Sequence, residues 1–182
     1  LGHRIVGQIA DSYLTKNKRK EICKILGTES IALASNWPDF IKSDPAYKYL
    51  DNWHYINLRT GLNETELKDY LATDTITDAY TKINWLTDQL KNKDLEQDKK
   101  ILYLRLLIHI VGDIHQPLHI GRVEDRGGNG IKLNWFKEPS NMHTVWDSKL
   151  IDFQKLSYTE FTSTIKYKTK EQRRDRKAKQ SR

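Results

Sequence analysis

The residues able to do chemistry are crowded together. HIVGDIHQPLH, residues 109–119, holds three of the chain's six histidines with one carboxylate among them. His109 and Asp113 are four apart, which on a helix stacks them one turn above the other on a single face. Pro117 cannot continue a helical ladder, so the chain must bend there and carry His119 back toward the pair. His115 lies about 240° round the wheel from His109 and points elsewhere, which fits a structural or supporting role. An isolated HxxxD pair fits a buried hydrogen-bonded couple as well as a metal site.

The other histidines weigh on that choice. His143 and Asp147, in NMHTVWDSKL, repeat the HxxxD spacing on a second amphipathic stretch, with Ser140 or Asn141 as its N-cap. His54 sits among aromatics in NWHYINL, downstream of Asp39 in SNWPDFI. His3 opens LGHRIVGQIADSYL, a helical stretch with Ile5, Ile9 and Tyr13 on one side. Five histidines thus fall on segments patterned for burial, each with a carboxylate companion. Neutral imidazole plus carboxylate suits a transition metal, and the combination favours a multi-metal site over five unrelated structural histidines.

The elements that position these residues are helices. KILYLRLLIHI carries apolar positions at Ile101, Leu104, Leu107 and Ile108, continued by Val111, at helical spacing. Periodicity predicts helices over 3–14, 17–26, 63–72, 75–92, 96–114 and 141–152. Gly27 closes the second, and Asn63 with Glu66 forms a capping box on the third. GRVEDRGGNGIKLNWFKE, residues 121–138, breaks the pattern. Its glycines mark turns and IKLNWF alternates, so a small β-hairpin is expected beside the site.

With 182 residues, 37% of them hydrophobic, five Trp and nine Tyr, one all-α domain with a sufficient core is expected. The net charge of +7 belongs to one segment: residues 166–182 hold nine Lys/Arg against two Asp/Glu, leaving 22 charges of each sign in 1–165. The domain is therefore expected over 1–165 and a basic, disordered tail over 166–182. The single Cys23 excludes an intramolecular disulfide framework. Residues 1–182 show the pattern of neither a transmembrane stretch nor a signal peptide. Asn63-Glu64-Thr65 fits a glycosylation triplet, which matters only in a eukaryotic secretory route.

Six segments together resemble the zinc-dependent single-strand nucleases of fungi and plants, in the phospholipase C/nuclease superfamily. They are GHRIVGQIA at 2–10, NWPDF at 36–40, WHYINL at 53–58, HIVGDIHQPLH at 109–119, DRGGNGIKLNWF at 125–136 and NMHTVWDSKLI at 141–151. They occur in the family's order. The resemblance implies the all-helical zinc phospholipase C/nuclease fold with three zinc ions in a cleft. One zinc would take Asp39, His54, His109 and Asp113; a second would share Asp113 and take His3; a third would take His119, His143 and Asp147. A carboxylate bridging two zinc ions lowers the pKa of a shared water, and hydroxide then attacks a phosphodiester in line. Asp39, Asp113 and Asn129 are the residues this chemistry would rely on. The products implied are 5′-phosphorylated nucleotides, with 3′-nucleotidase activity a further possibility for the family.

For the substrate, the resemblance implies that Asn129 bonds a phosphate oxygen and that Tyr55 stacks a nucleobase, a contact of about 1–3 kcal/mol. Tyr55 also reads as an ordinary core aromatic. Asn57 stands where some members place a base-reading carboxylate, and Lys42 where some have a phosphate-binding arginine; lysine keeps the charge without the bidentate fork. Single-stranded RNA or DNA is the implied partner, bound by a monomer without stable membrane association. The lack of disulfides is closer to bacterial relatives than to fungal ones.

At its ends the chain departs from the family pattern. Members begin with a tryptophan whose amine and carbonyl bind the shared-site zinc, three residues before the glycine matching Gly2, and they continue with further helices past the position of Ile165. A chain shortened at both ends is the expectation, with a weakened second zinc site. Cleavage to expose that amine implies a secreted or periplasmic protein. Two rival readings stand beside the nuclease: a zinc phospholipase C of the same fold, whose last ligand is usually glutamate where this chain has Asp147, and an inactive relative binding nucleic acid through its basic tail.

Overall fold

Side chains just ahead of the helices set where most of them start. Thr15, Ser30, Asn63, Asp78 and Ser157 each accept a backbone N–H from the first turn they precede. Asn63 and Glu66 form the expected capping box, and Gly27 ends its helix at φ +64°. The computed structural model describes residues 1–165, so the basic segment 166–182 lies outside the described residues.

The chain runs α1 (Gly2–Tyr13), α2 (Lys16–Leu26), α3 (Ile31–Ile41), a 3₁₀ segment (Pro45–His54), β1 (Ile56–Leu58), α4 (Glu64–Thr73), α5 (Ala79–Lys91) and α6 (Gln97–Asp113). There follow a 3₁₀ turn (Pro117–His119), β2 (Ile120–Arg122), β3 (Lys132–Trp135) and β4 (Glu138–Asn141). A continuous helical stretch then comprises α7 (Met142–Thr144), a π turn (Val145–Lys149) and α8 (Leu150–Asp152), before α9 (Tyr158–Thr164). The fold is all-α with minor strands, as the sequence predicts.

α6 is the central helix. α1, α2, α3, α5 and the 3₁₀ segment pack around it, and Leu50, Trp53, Ala79, Leu86, Leu106 and Ile110 form the main core. Its deeply buried line is Leu106, His109, Ile110 and Asp113, whereas Val111, placed on the buried stripe by periodicity, is 39% exposed. A helix apolar on nearly every side gives the wheel little to choose between, and the neighbours decide which face goes inward.

Two further differences have physical causes. α3 carries Pro38 inside it, which breaks the local signal; packing against α1 and α6 holds the helix despite the lost hydrogen bond. The hairpin is real but displaced: β3 and β4 pair antiparallel over 132–141, whereas β2 pairs in parallel with β1, Asn57 opposite Gly121. The expected 121–138 span therefore contains one strand of a non-local pair, a glycine loop and half the hairpin. Pairing across more than 60 residues leaves no local trace in the sequence.

A candidate metal centre

Asp113 sits at the end of α6, buried, with four imidazoles around it. His3 Nε2 approaches Oδ1 at 3.1 Å and His119 Nδ1 approaches the same oxygen at 3.1 Å. His54 Nδ1 lies 2.9 Å and His109 Nε2 3.1 Å from Oδ2. The four come from α1, the 3₁₀ segment, α6 itself and the turn after Pro117, so one carboxylate gathers groups spread across 117 positions of sequence.

Backbone carbonyls fix the rings. His109 Nδ1 donates to Ser35 O at 2.7 Å, which aims Nε2 at Asp113 and His54. Ser35 also donates its hydroxyl to His3 O at 2.7 Å, so one α3 residue holds the ring of His109 and the backbone of His3. His143 Nδ1 donates to Gly127 O at 2.8 Å, freeing its Nε2 in the same way. His3 and His109 stack at 3.7 Å, and His119 and His143 at 5.1 Å.

Three groups of donors have the spacing of metal ligands: His3, Asp39 and His109; His54, His109 and Asp113; and His119, His143 and Asp147. Asp39 falls beside His3, with Oδ2 4.0 Å from its Nε2, in the group that also holds His109, a partner the resemblance gave it. Asp147 lies in the π turn, a rare geometry often found at functional positions.

The donor chemistry fits metal ions. Two ligands at 2.0–2.1 Å from one zinc in tetrahedral arrangement lie about 3.3 Å apart, close to the contacts around Asp113. His119 Nδ1 is buried and, despite its 3.1 Å approach to Asp113, lacks the alignment of a hydrogen bond. A buried nitrogen left without a hydrogen-bond partner amid so many donors suits a site that holds cations.

The electrostatics point the same way. Burial alone would raise the Asp113 carboxyl, but His109, His119, His3 and His54 outweigh it and hold the group far below the ordinary carboxylate range. Burial alone would lower His119, but Asp113 and Asp147 on its two nitrogens push it up to about 9. Asp147 is lowered by His119 against its own burial. No lysine or arginine lies within ion-pair distance of Asp113 among the described residues. Protons on imidazole are then its only counter-charge, and a metal cation can replace them.

All of these groups but the buried His109 line a cleft of about 1090 Å³. The family model for S1/P1 nuclease matches residues 1–182. The chain belongs to the S1/P1 nuclease family. Endonuclease 3 of Arabidopsis thaliana is 32% identical over 164 residues, covering 83% of this chain and 53% of that protein. Nuclease S1 of Aspergillus oryzae is 29% identical over 158 residues (82% and 53%), and Nuclease P1 of Penicillium citrinum 28% over 171 (88% and 62%). The chain spans about half the length of the first two.

Within this S1/P1 nuclease chain, the remaining sequence-predicted residues border the same cleft. Lys42 Nζ lies 3.7 Å from Asp39. Tyr55 is 38% exposed, its hydroxyl donating to Asn52, so it is not the core aromatic its neighbours suggested. Asn57 buries Oδ1 between Gly121 and Gly127, where added Cβ atoms would meet it at 2.8 and 3.4 Å. Asn129 spends one side-chain N–H on Arg126 O at 3.0 Å. His115 turns to the surface, its Nδ1 on Val111 O, yet still borders the cleft rim.

Ser35 and Gln116 were missed by pattern reading. Gln116 accepts from Leu118 N at 2.6 Å, shaping the turn that carries His119, and reaches Asp147 at 3.5 Å. Its place directly before Pro117 was the available signal. Ser35 had none, since its contribution is largely a backbone carbonyl.

Proposed function

We propose that this chain is a zinc-dependent phosphodiesterase that hydrolyses single-stranded RNA and DNA to 5′-phosphorylated products, with 3′-nucleotidase action on short substrates. The observation that carries the reading is the convergence of His3, Asp39, His54, Asp113, His119, His143 and Asp147 on one open cleft, with His109 buried behind them, in three groups spaced for metal ligation. Three zinc ions are the reading's full complement. Zinc held there supplies Lewis acidity and lowers the pKa of water.

The chain's own groups do the rest. Asp113 and Asp39 carry the negative charge that retains the cations, and the carbonyls of Ser35 and Gly127 keep His109 and His143 in their ligating tautomers. Lys42 offers a cation to a phosphate oxygen at the Asp39 end, and the second Asn129 N–H offers a hydrogen bond at the other. Tyr55 presents a ring on which an unpaired base can stack, and Asn57 an amide to its edge. A duplex hides both its bases and their faces from such a recess, so single strands are preferred. Action as a monomer outside the cytoplasm, without stable membrane association, completes the reading; no helix among the described residues is long and apolar enough to cross a membrane.

The test is cleavage of single-stranded RNA and DNA by the zinc-saturated chain, with and without chelator, alongside metal content and product end analysis. Chelator-sensitive cleavage giving 5′-phosphates, and phosphate release from a 3′-mononucleotide, are expected. Folded, zinc-loaded protein that leaves polynucleotides intact but hydrolyses a phosphocholine ester would replace the nuclease with a phospholipase.

A further inference from the structure

Three basic side chains border the cleft: Lys42, Arg126 and Lys132. Lys42 faces Asp39, whereas Arg126 and Lys132 pair with no carboxylate among the described residues. Both belong to the region around the glycine loop, and Asn129 ties them together. Its side-chain N–H donates to Arg126 O at 3.0 Å, and its own carbonyl accepts Lys132 Nζ at 3.2 Å.

The backbone at Arg126 is unusual. It holds φ +55°, followed by Gly127 at +60° and Gly128 at +79°. Three successive left-handed residues suit glycine or asparagine, and arginine is a costly choice at the first of them. The two glycines are explained by crowding, since a Cβ on Gly127 would meet Leu118 O at 2.6 Å. No contact explains the arginine. What it does achieve is to put a long cationic side chain beside the cleft.

Such a run of left-handed residues can itself cradle an anion with its N–H groups, but here those groups are taken. Gly127 N donates to Arg122 O, Gly128 N to Asp125 Oδ1, Asn129 N to Arg126 O and Gly130 N to Asp125 O. An anion at this end must therefore be held by side chains. The loop is also joined to the metal centre, because Gly127 O is the acceptor that orients His143.

We propose that Arg126 and Lys132 form a second phosphate subsite, which takes a phosphodiester next to the one being cut. The inference rests on the nuclease reading and adds to it a preference for chains with at least two phosphodiesters. Arg126 supplies the planar fork that matches two phosphate oxygens, and Lys132 supplies a point charge.

The experiment compares the 182-residue chain with Arg126→Gly and Lys132→Ala on a thymidine pentanucleotide and on a dinucleoside monophosphate, whose single phosphate is the one cut. Each variant is expected to lose about tenfold or more in kcat/KM on the pentanucleotide and less than twofold on the dinucleoside monophosphate. Lys132→Arg should restore the loss at that position. Zinc content should be unchanged, and Arg126→Gly should melt no lower than the parent, because glycine relieves the left-handed backbone. Equal losses on both substrates, or none on either, overturn the subsite.

A version of the test needs no variant. One neutral methylphosphonate placed beside the cleaved linkage should weaken the parent enzyme on one side of the cut, and equal rates with charged and neutral neighbours on both sides overturn the subsite. If the parent cleaves neither substrate, the nuclease reading fails by itself. The subsite is then judged by anisotropy with labelled pentanucleotide: weaker binding and a shallower salt dependence in both variants support it, and unchanged binding overturns it.

Discussion

His119 and Asp113 lie 3.1 Å apart although a helix end and a proline turn separate them, and the other nitrogen of the same ring lies 3.3 Å from Asp147. One imidazole thus links the carboxylate of the four-histidine cluster to that of the outlying group. Any change in the charge of Asp113 is felt through His119 by Asp147.

Replacing Asp113 by Asn should remove more than one metal ion, since its two oxygens face four imidazoles. Loss of even an outer-shell partner costs metal sites about 10–100-fold, so cleavage should fall by at least about 100-fold. Metal analysis of the purified variant gives the check. A full metal complement would contradict the bridging role.

The chelated and zinc-loaded chains should respond oppositely to pH. Without zinc, Asp113 is depressed from 3.8 and His119 is raised from 6.5 to about 9. The Asp113 contribution is present above about pH 4 and lost as pH falls. The His119 contribution is complete below 6.5 and lost as pH rises through 9. Chelated protein should therefore melt highest between about pH 4 and 6.5 and lower toward 9. Zinc must displace protons to bind, so the stabilisation it adds should grow over that upper range. A chelated chain that gains stability from pH 6.5 to 9 would refute the linkage.

His109→Ala and His115→Ala should separate sharply. His109 is fully buried, with both nitrogens engaged in the site; His115 is exposed and bonds only Val111 O. The first should abolish cleavage and lower zinc content, and the second should leave most activity. Comparable losses would mean that His115 does more than its geometry indicates.

Gly7→Ala tests how helix packing reaches the metals. A Cβ at Gly7 would meet Ser35 Oγ at 2.7 Å, Ile31 O at 2.8 Å and Ala32 Cα at 2.9 Å. The gain in helix propensity, about 1 kcal/mol, opposes an overpacking cost of about 1–3 kcal/mol. A net loss in melting temperature is expected. Because Ser35 braces both His3 and His109, zinc affinity should fall as well, measurable by competition with a chromophoric chelator. Lower stability with unchanged affinity would show that α1 and α3 separate without disturbing the rings.

The candidate ligands were legible because their constraints are local. Residues four apart share a helix face, and proline ends a ladder, whatever the rest of the chain does. The caps at Asn63 and Gly27 were legible for the same reason. Convergence on Asp113 was not, since it depends on α1, α3 and the 3₁₀ segment meeting α6, and no single segment encodes that meeting. The sequence by itself determined the kinds of donor, their helical spacing and the family. Tertiary structure alone decided that Asp39 stands beside His3, that Ser35 and Gly127 lend their carbonyls to the rings, and that Arg126 and Lys132 border the cleft. Side-chain chemistry and short-range geometry are written residue by residue, whereas backbone carbonyls are identical at every position and gain meaning only from what the fold brings against them.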